Sequence, residues 1–378
     1  MTIAGFTAEA RHGRAATLPA LQYFRAVAAI LVVAYHAACV FGPGGYQPIR
    51  SWEVGLMFGH AGVELFFVLS GFIICWIHYD RIGARGEVPG YIRKRLVRIY
   101  PPVALVVVAW AALSFAAGMP MRPIEYLVSL TLIPFDFAYA PPALWTLTHE
   151  MAFYALFLLA FIRRWLFIAA LLAWGVAGYV LTMVPGLSEA RAAIPLVGSA
   201  YAFLFTLGVV AFFIVRARPT LPAWSRVALG VFALVIFAWA ATRDVALQLG
   251  PIPTEGGGER AARALTPWFG IAAMIWVVVL ADPAIRFRGR LHAVMMLLGN
   301  ASYAIYLWHE IPQRVLGRLI GSVGLAGPET RMIAIGLIVV SGVVLGVLVY
   351  QFVERPLLRR INAMLDARAA RRTAPQTA

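Results

Sequence analysis

Long, nearly uninterrupted apolar runs, rather than alternating or one-faced amphipathic stretches, set the pattern of this chain. They lie near residues 18–41, 57–79, 103–118, 144–162, 165–184, 196–215, 224–242, 266–281, 293–311 and 331–353. A helix rising about 1.5 Å per residue needs about 20 apolar residues to cross about 30 Å of hydrocarbon. Most of the runs reach that length. Two of them, 103–118 and 266–281, are short and predict tilted or partly re-entrant segments. The pattern therefore predicts an all-α fold, a polytopic integral membrane helix bundle of about ten transmembrane helices. The first run is too long for a signal-peptide core and lacks a small-residue cleavage site, so it is expected to stay in the mature protein. Residues 18–355 read as one membrane domain between a short N-terminal tail, 1–17, and a basic C-terminal tail, 356–378.

Composition supports lipid as the solvent. Hydrophobic residues make up 62% of the chain and charged residues 13%, whereas soluble domains are about half apolar and about a quarter charged. The formal net charge of +15 could point to nucleic acid, but arginines gathered in loops on one face of a membrane explain it better. With the N-terminus inside, about 23 of the 32 basic residues face the cytoplasm and about 9 face outward. An even number of spans returns the C-terminal arginines to the same side, so both termini are expected to be cytoplasmic. The two cysteines, Cys39 and Cys75, sit in apolar runs and predict no disulfide framework.

Ionisable groups inside apolar spans are costly and single out functional candidates. In the first run, Arg25 and His36 are eleven residues apart, almost three helical turns, which sets them on one face about 16 Å apart along the axis. Arg25 reads equally as a snorkelling anchor, and His36 as a core histidine bonded to a carbonyl. Glu64 stands alone among apolar residues in Gly62-Val63-Glu64-Leu65-Phe66-Phe67-Val68-Leu69-Ser70-Gly71-Phe72, where Ser70-Gly71 offers a small patch for close helix approach. An anchor of helix packing is the expected role of Glu64. The fourth run opens Leu144-Trp145-Thr146-Leu147-Thr148-His149-Glu150, which places Glu150 at a depth like that of His36 and Glu64. Between runs two and three, Tyr91-Ile92-Arg93-Lys94-Arg95-Leu96-Val97-Arg98 reads as a topogenic basic loop, or, with Arg95 and Arg98 at i, i+3, as a site for a polyanion such as a nucleotide phosphate. The ninth run contains Ser302-Tyr303-Ala304-Ile305-Tyr306-Leu307-Trp308-His309, combining polar, aromatic and imidazole groups.

Taken together and in this order, these motifs resemble the membrane acyltransferase 3 family, bacterial O-acyltransferases of polysaccharides and lipid-linked sugars. The resemblance runs from about Leu21 to Pro356, and its exopolysaccharide acetyltransferase branch is the most similar. Glu64 and Thr146 depart mildly from the Asp and Ser that members often carry there. The resemblance implies a multi-pass protein of the bacterial cytoplasmic (inner) membrane. It would take acetyl from cytoplasmic acetyl-CoA, a donor substrate rather than a resident cofactor, and pass it to a hydroxyl of an exopolysaccharide or lipid-linked glycan. No metal is expected. Polysaccharide-assembly machinery, or a second copy of the chain, would be a further partner. In that frame His36 is the general base or a transient acyl carrier, and Glu150 orients it. Arg25, Arg93, Arg95 and Arg98 would hold the donor's phosphates. Glu64, His149, Tyr303, Trp308 and His309 would line the acceptor path or support the site. The rival expectation is a secondary transporter of lipid-linked sugars or protons, which also uses buried His and Glu.

Overall fold

The computed structural model describes residues 18–42, 52–134, 138–183, 199–217, 221–249, 257–283, 285, 287–327 and 329–373. The N-terminal tail at 1–17 and residues 374–378 lie outside the described residues, as do the run ends at 184 and 196–198. Among the described residues every regular element is helical. In chain order they are α1 (Pro19–Cys39), α2 (Ala61–His78, entered through a 3-10 segment Trp52–His60), α3 (Val88–Ala116), α4 (Pro123–Thr131) and α5 (Trp145–Phe157). There follow α6 (Arg164–Met183), α7 (Ala202–Ala217), α8 (Ala223–Leu249), α9 (Gly257–Leu280) and α10 (Gly289–Trp308). The last three are α11 (Glu310–Ser322), α12 (Arg331–Val349) and α13 (Arg355–Thr373), with a π turn, Tyr350–Glu354, joining α12 to α13.

Among the described residues, eight helical stretches are long and apolar enough to cross a membrane, and α7 and residues 264–280 are shorter apolar helices. Each predicted run thus contains one helix. The two runs that looked short are parts of longer helices. Residues 103–116 of the first fall in the second half of α3, which extends over 29 residues. The basic segment Arg93–Arg98 interrupts hydropathy but not helicity, because arginine and lysine are good helix formers. Likewise 266–281 ends α9, which carries Pro267 inside it. Within the C-terminal segment, residues 355–373 continue from α12 as helix α13. Its Leu, Arg, Ala and Met residues favour that state once the π turn has carried the backbone past Glu354.

α1 forms the axis of the bundle and packs against α10, α2 and α12, while α2 packs against α7 and α9. Aromatic side chains fill the space between α2, α5 and α7, with Phe153 and Phe205 stacked at 4.5 Å. The outside is apolar too. On α12 the exposed positions are Met332, Ile333, Leu337, Val340, Val344 and Leu348, and on α8 they include Trp224, Val227, Val231 and Val235. Such surfaces are stable only against lipid.

With lipid on one side there is little hydrophobic force between helices, and association relies on close packing of small residues. Gly71 of α2 and Gly208 of α7 meet in this way. A Cβ on Gly208 would collide with the Val68 carbonyl and sit 2.8 Å from the Phe72 nitrogen. Replacing Gly208 with Leu should cost about 1–3 kcal/mol through forced separation of the two helices. The expected outcome is a lower thermal midpoint in detergent; an unchanged midpoint would contradict this packing.

Candidate active site

Three of the four predicted phosphate-binding arginines converge on one cavity of about 90 Å³ between α1, α2, α3, α5 and α10. Arg25 is 7% exposed, and its Nε donates to the Ser302 hydroxyl at 3.2 Å. This contact depends on a close crossing of α1 and α10, where Gly299 rests against the carbonyl of Gln22. Arg95, from the long helix α3, hydrogen bonds through a terminal nitrogen to Nε2 of His78 at 3.2 Å. Its guanidinium also lies over the rings of Tyr91 and Tyr154, at 5.5 and 5.4 Å. Arg98, one turn further on, lies over Tyr303 at 5.1 Å. Aromatic faces thus replace part of the water that buried guanidinium groups lose. Arg93 points elsewhere. It pairs with Asp366 of α13 at 3.1 Å, and both side chains are more than one-third exposed.

Glu150 also lines this cavity, where it accepts a hydrogen bond from the Tyr154 hydroxyl. It does not meet His36. The reason is helix register. Thr146, one turn before Glu150, bonds the Tyr306 hydroxyl at 2.8 Å, and Tyr306 precedes His309, the residue that touches His36. Glu150 therefore lies about 6 Å to one side of the Thr146–Tyr306 layer, and His309 about 4.5 Å to the other. The expected Glu150–His36 pairing gives way to a Glu150 held among arginines.

His36 instead faces His309. Its Nδ1 lies 3.1 Å from His309 Nε2 and 3.1 Å from the Val32 carbonyl one turn back in α1. His309 is fully buried, and its Nδ1 lies 2.7 Å from the Tyr306 carbonyl. Glu310 completes the group. His36, His309 and Glu310 bring one potential ligand atom each within 4.8 Å of one another, so these three could meet a cation by distance.

Glu64 is fully buried and pairs with His60 at 3.3 Å, while the other ring nitrogen of His60 meets Asp244 of α8 at 3.2 Å. His149 packs against Phe67 and Trp145, with Nδ1 near the Trp145 carbonyl at 3.3 Å. Trp308 is half-buried against the core. Tyr303 lines the arginine cavity. Several residues with evident roles were not singled out in the sequence. His60 and Glu64 share an i, i+4 spacing that signals a pair, whereas Asp244 lies just past an apolar run. Glu310 lies at the end of the ninth run, and Glu354, buried near Arg25 and Arg98, directly follows the last run.

Comparison with known proteins assigns this arrangement to a family. A family model described as an acyltransferase domain matches residues 18–351. The exopolysaccharide production protein ExoZ of Rhizobium meliloti (strain 1021) is 31% identical over 341 residues, covering 82% of this chain and 95% of its own. The acyltransferase MdmB of Streptomyces mycarofaciens is 27% identical over 404 residues, covering 97% of each chain. No solved structure matches significantly. A transporter reading is set aside by this match, which spans nearly all the helices described above. The chain belongs to the acyltransferase 3 family and is a multi-pass membrane O-acyltransferase.

Proposed function

We propose that the protein moves an acetyl group from acetyl-CoA on the cytoplasmic side of the bacterial inner membrane to a hydroxyl of an exopolysaccharide or lipid-linked glycan. The observation that carries this reading is the cavity into which Arg25, Arg95 and Arg98 turn from two helices. Two buried guanidinium groups, Arg25 and Arg95, and the half-buried Arg98 beside them call for an anionic partner beyond Glu150 and Glu354. The phosphates of an acyl-CoA supply one, and planar guanidinium forks suit them. The preponderance of arginine on the cytoplasmic loops supports donor binding from that side. The name of the relative ExoZ supports an exopolysaccharide acceptor.

Arg25 and His36 stand on the same helix, about 16 Å apart along its axis. A pantetheine arm anchored by its phosphates at Arg25 extends from there along α1 toward His36. A sugar hydroxyl is a weak nucleophile at neutral pH. In the proposed step His36 takes the hydroxyl proton as the oxygen bonds to the thioester carbonyl carbon. The carbon–sulfur bond then breaks, and the departing thiolate takes the proton, so CoA leaves as its thiol and the ester remains on the sugar. Glu150 holds Tyr154 and balances the arginines at the donor end.

Two outcomes are expected with radiolabelled acetyl-CoA and purified protein. His36→Ala should lower kcat by about 10²–10⁴-fold while the protein still inserts and binds CoA. A well-folded His36→Ala protein with near-normal turnover would remove His36 from the chemistry. Arg98→Ala should raise KM for acetyl-CoA about tenfold, since a lost charge-assisted contact is worth about 1.5–3 kcal/mol. Arg98→Lys should recover only part, because the fork is gone. Unchanged KM in both variants would mean that the phosphates bind elsewhere.

A further inference from the structure

We propose that His309 and Glu310 are the positioning pair for His36, fixing its tautomer and balancing the charge it acquires. This rests on the reading of His36 as the base and deepens it. The argument starts from two carbonyl oxygens, which can only accept hydrogen bonds. His309 Nδ1 lies 2.7 Å from the Tyr306 carbonyl, so that nitrogen carries a proton. In the neutral ring Nε2 is then the acceptor. His36 Nδ1 lies 3.1 Å from the Val32 carbonyl, so it too carries a proton. That proton also faces His309 Nε2 at 3.1 Å. Both Nδ1 positions of the pair are therefore donors, and His36 Nε2 is left with the lone pair that a base needs.

The Val32 contact lies within α1 itself and cannot adjust to the rest of the bundle. His309 comes from the junction of α10 and α11, and it ties the His36 ring to a second helix. When His36 Nε2 takes a proton, the ring becomes a cation, and the Nδ1–H bond to His309 strengthens as a charge-assisted one. A cation in this setting also requires a nearby anion. Glu310 supplies it: the residue is 6% exposed, and one carboxylate oxygen, Oε2, has no hydrogen-bond partner. An oxygen of its carboxylate lies within 4.8 Å of the His36 and His309 ring nitrogens. Arg314, one turn along α11, acts on the same carboxylate and also lies over the face of Trp110 at 4.2 Å, and it leaves Oε2 without a hydrogen bond. The same three side chains have the spacing of a metal site, but a metal-bound Nδ1 carries no proton and would set its lone pair against the Val32 carbonyl.

The test uses full-length protein in detergent or nanodiscs with acetyl-CoA and a glycan acceptor. Glu310→Gln is isosteric and removes only the charge; it should lower kcat at least tenfold with KM for acetyl-CoA within twofold of wild type. Glu310→Asp should recover part of kcat. His309→Phe should lower kcat similarly, and His309→Gln, whose amide oxygen can replace Nε2 as acceptor, should do better than His309→Phe. Treatment with a strong chelator should leave wild-type activity intact. The proposal fails if kcat of Glu310→Gln and His309→Phe stays within twofold of wild type. It also fails if KM rises in step with the loss of kcat, which would mark a merely structural role. Chelator-induced loss of activity that zinc restores would replace it with a metal site. His36→Ala in the same assay separates the two levels. If that variant keeps its turnover, the base assignment falls. If it is dead while the His309 and Glu310 variants are active, only the positioning pair falls.

Discussion

Keeping charge inside a low-dielectric bundle is the constraint on which the rest of this structure depends. Three guanidinium groups share one layer of an apolar bundle, two of them buried and Arg98 half-buried. Arg25 is tied to Ser302, Arg95 is set between two tyrosine rings, and Arg98 lies on a third. Glu150 and Glu354 provide partial compensation. The balance among these five side chains remains positive.

The same constraint governs the polar groups beyond that layer. Two carboxylates flank His60, which ties the start of α2 to α8. Arg331 at the start of α12 pairs with the fully buried Glu53 at 3.0 Å. Each joins elements far apart in sequence, and removing one partner of such a pair costs far more than the pair contributes, because it strands a buried charge. Close glycine crossings hold α1 to α10, with Gly299 against Gln22, and α2 to α7, with Gly71 against Gly208.

How much of this was legible in the sequence follows from the range of each interaction. Helix positions were legible because a span must satisfy its own backbone and be apolar along its length. The shared face of Arg25 and His36 was legible too, since eleven residues on one helix fix it regardless of neighbours. Both do face α10 and its end, at Ser302 and His309. The convergence of Arg95 and Arg98 with Arg25 rested on motif order rather than on geometry. The partner of His36 was not legible, because depth estimates for Glu150 ignore the register between α5 and α10. That register is set by Thr146, Tyr306 and the Ala143 carbonyl, and it sets Glu150 about two turns from the histidine layer, in the arginine layer. The exit of Arg93 was equally hidden, since its partner Asp366 lies on α13, beyond the last apolar run.

The account separates a donor layer of arginines from a histidine layer about 16 Å further along α1. Electron cryomicroscopy of the protein with a non-transferable acetyl-CoA analogue tests that separation most directly. The account predicts density for the phosphates on Arg25, Arg95 and Arg98, with the acyl end extending toward Tyr306 and His36. Phosphate density on the exposed Arg93–Asp366 surface, or an acyl end pointing away from His36, would contradict it.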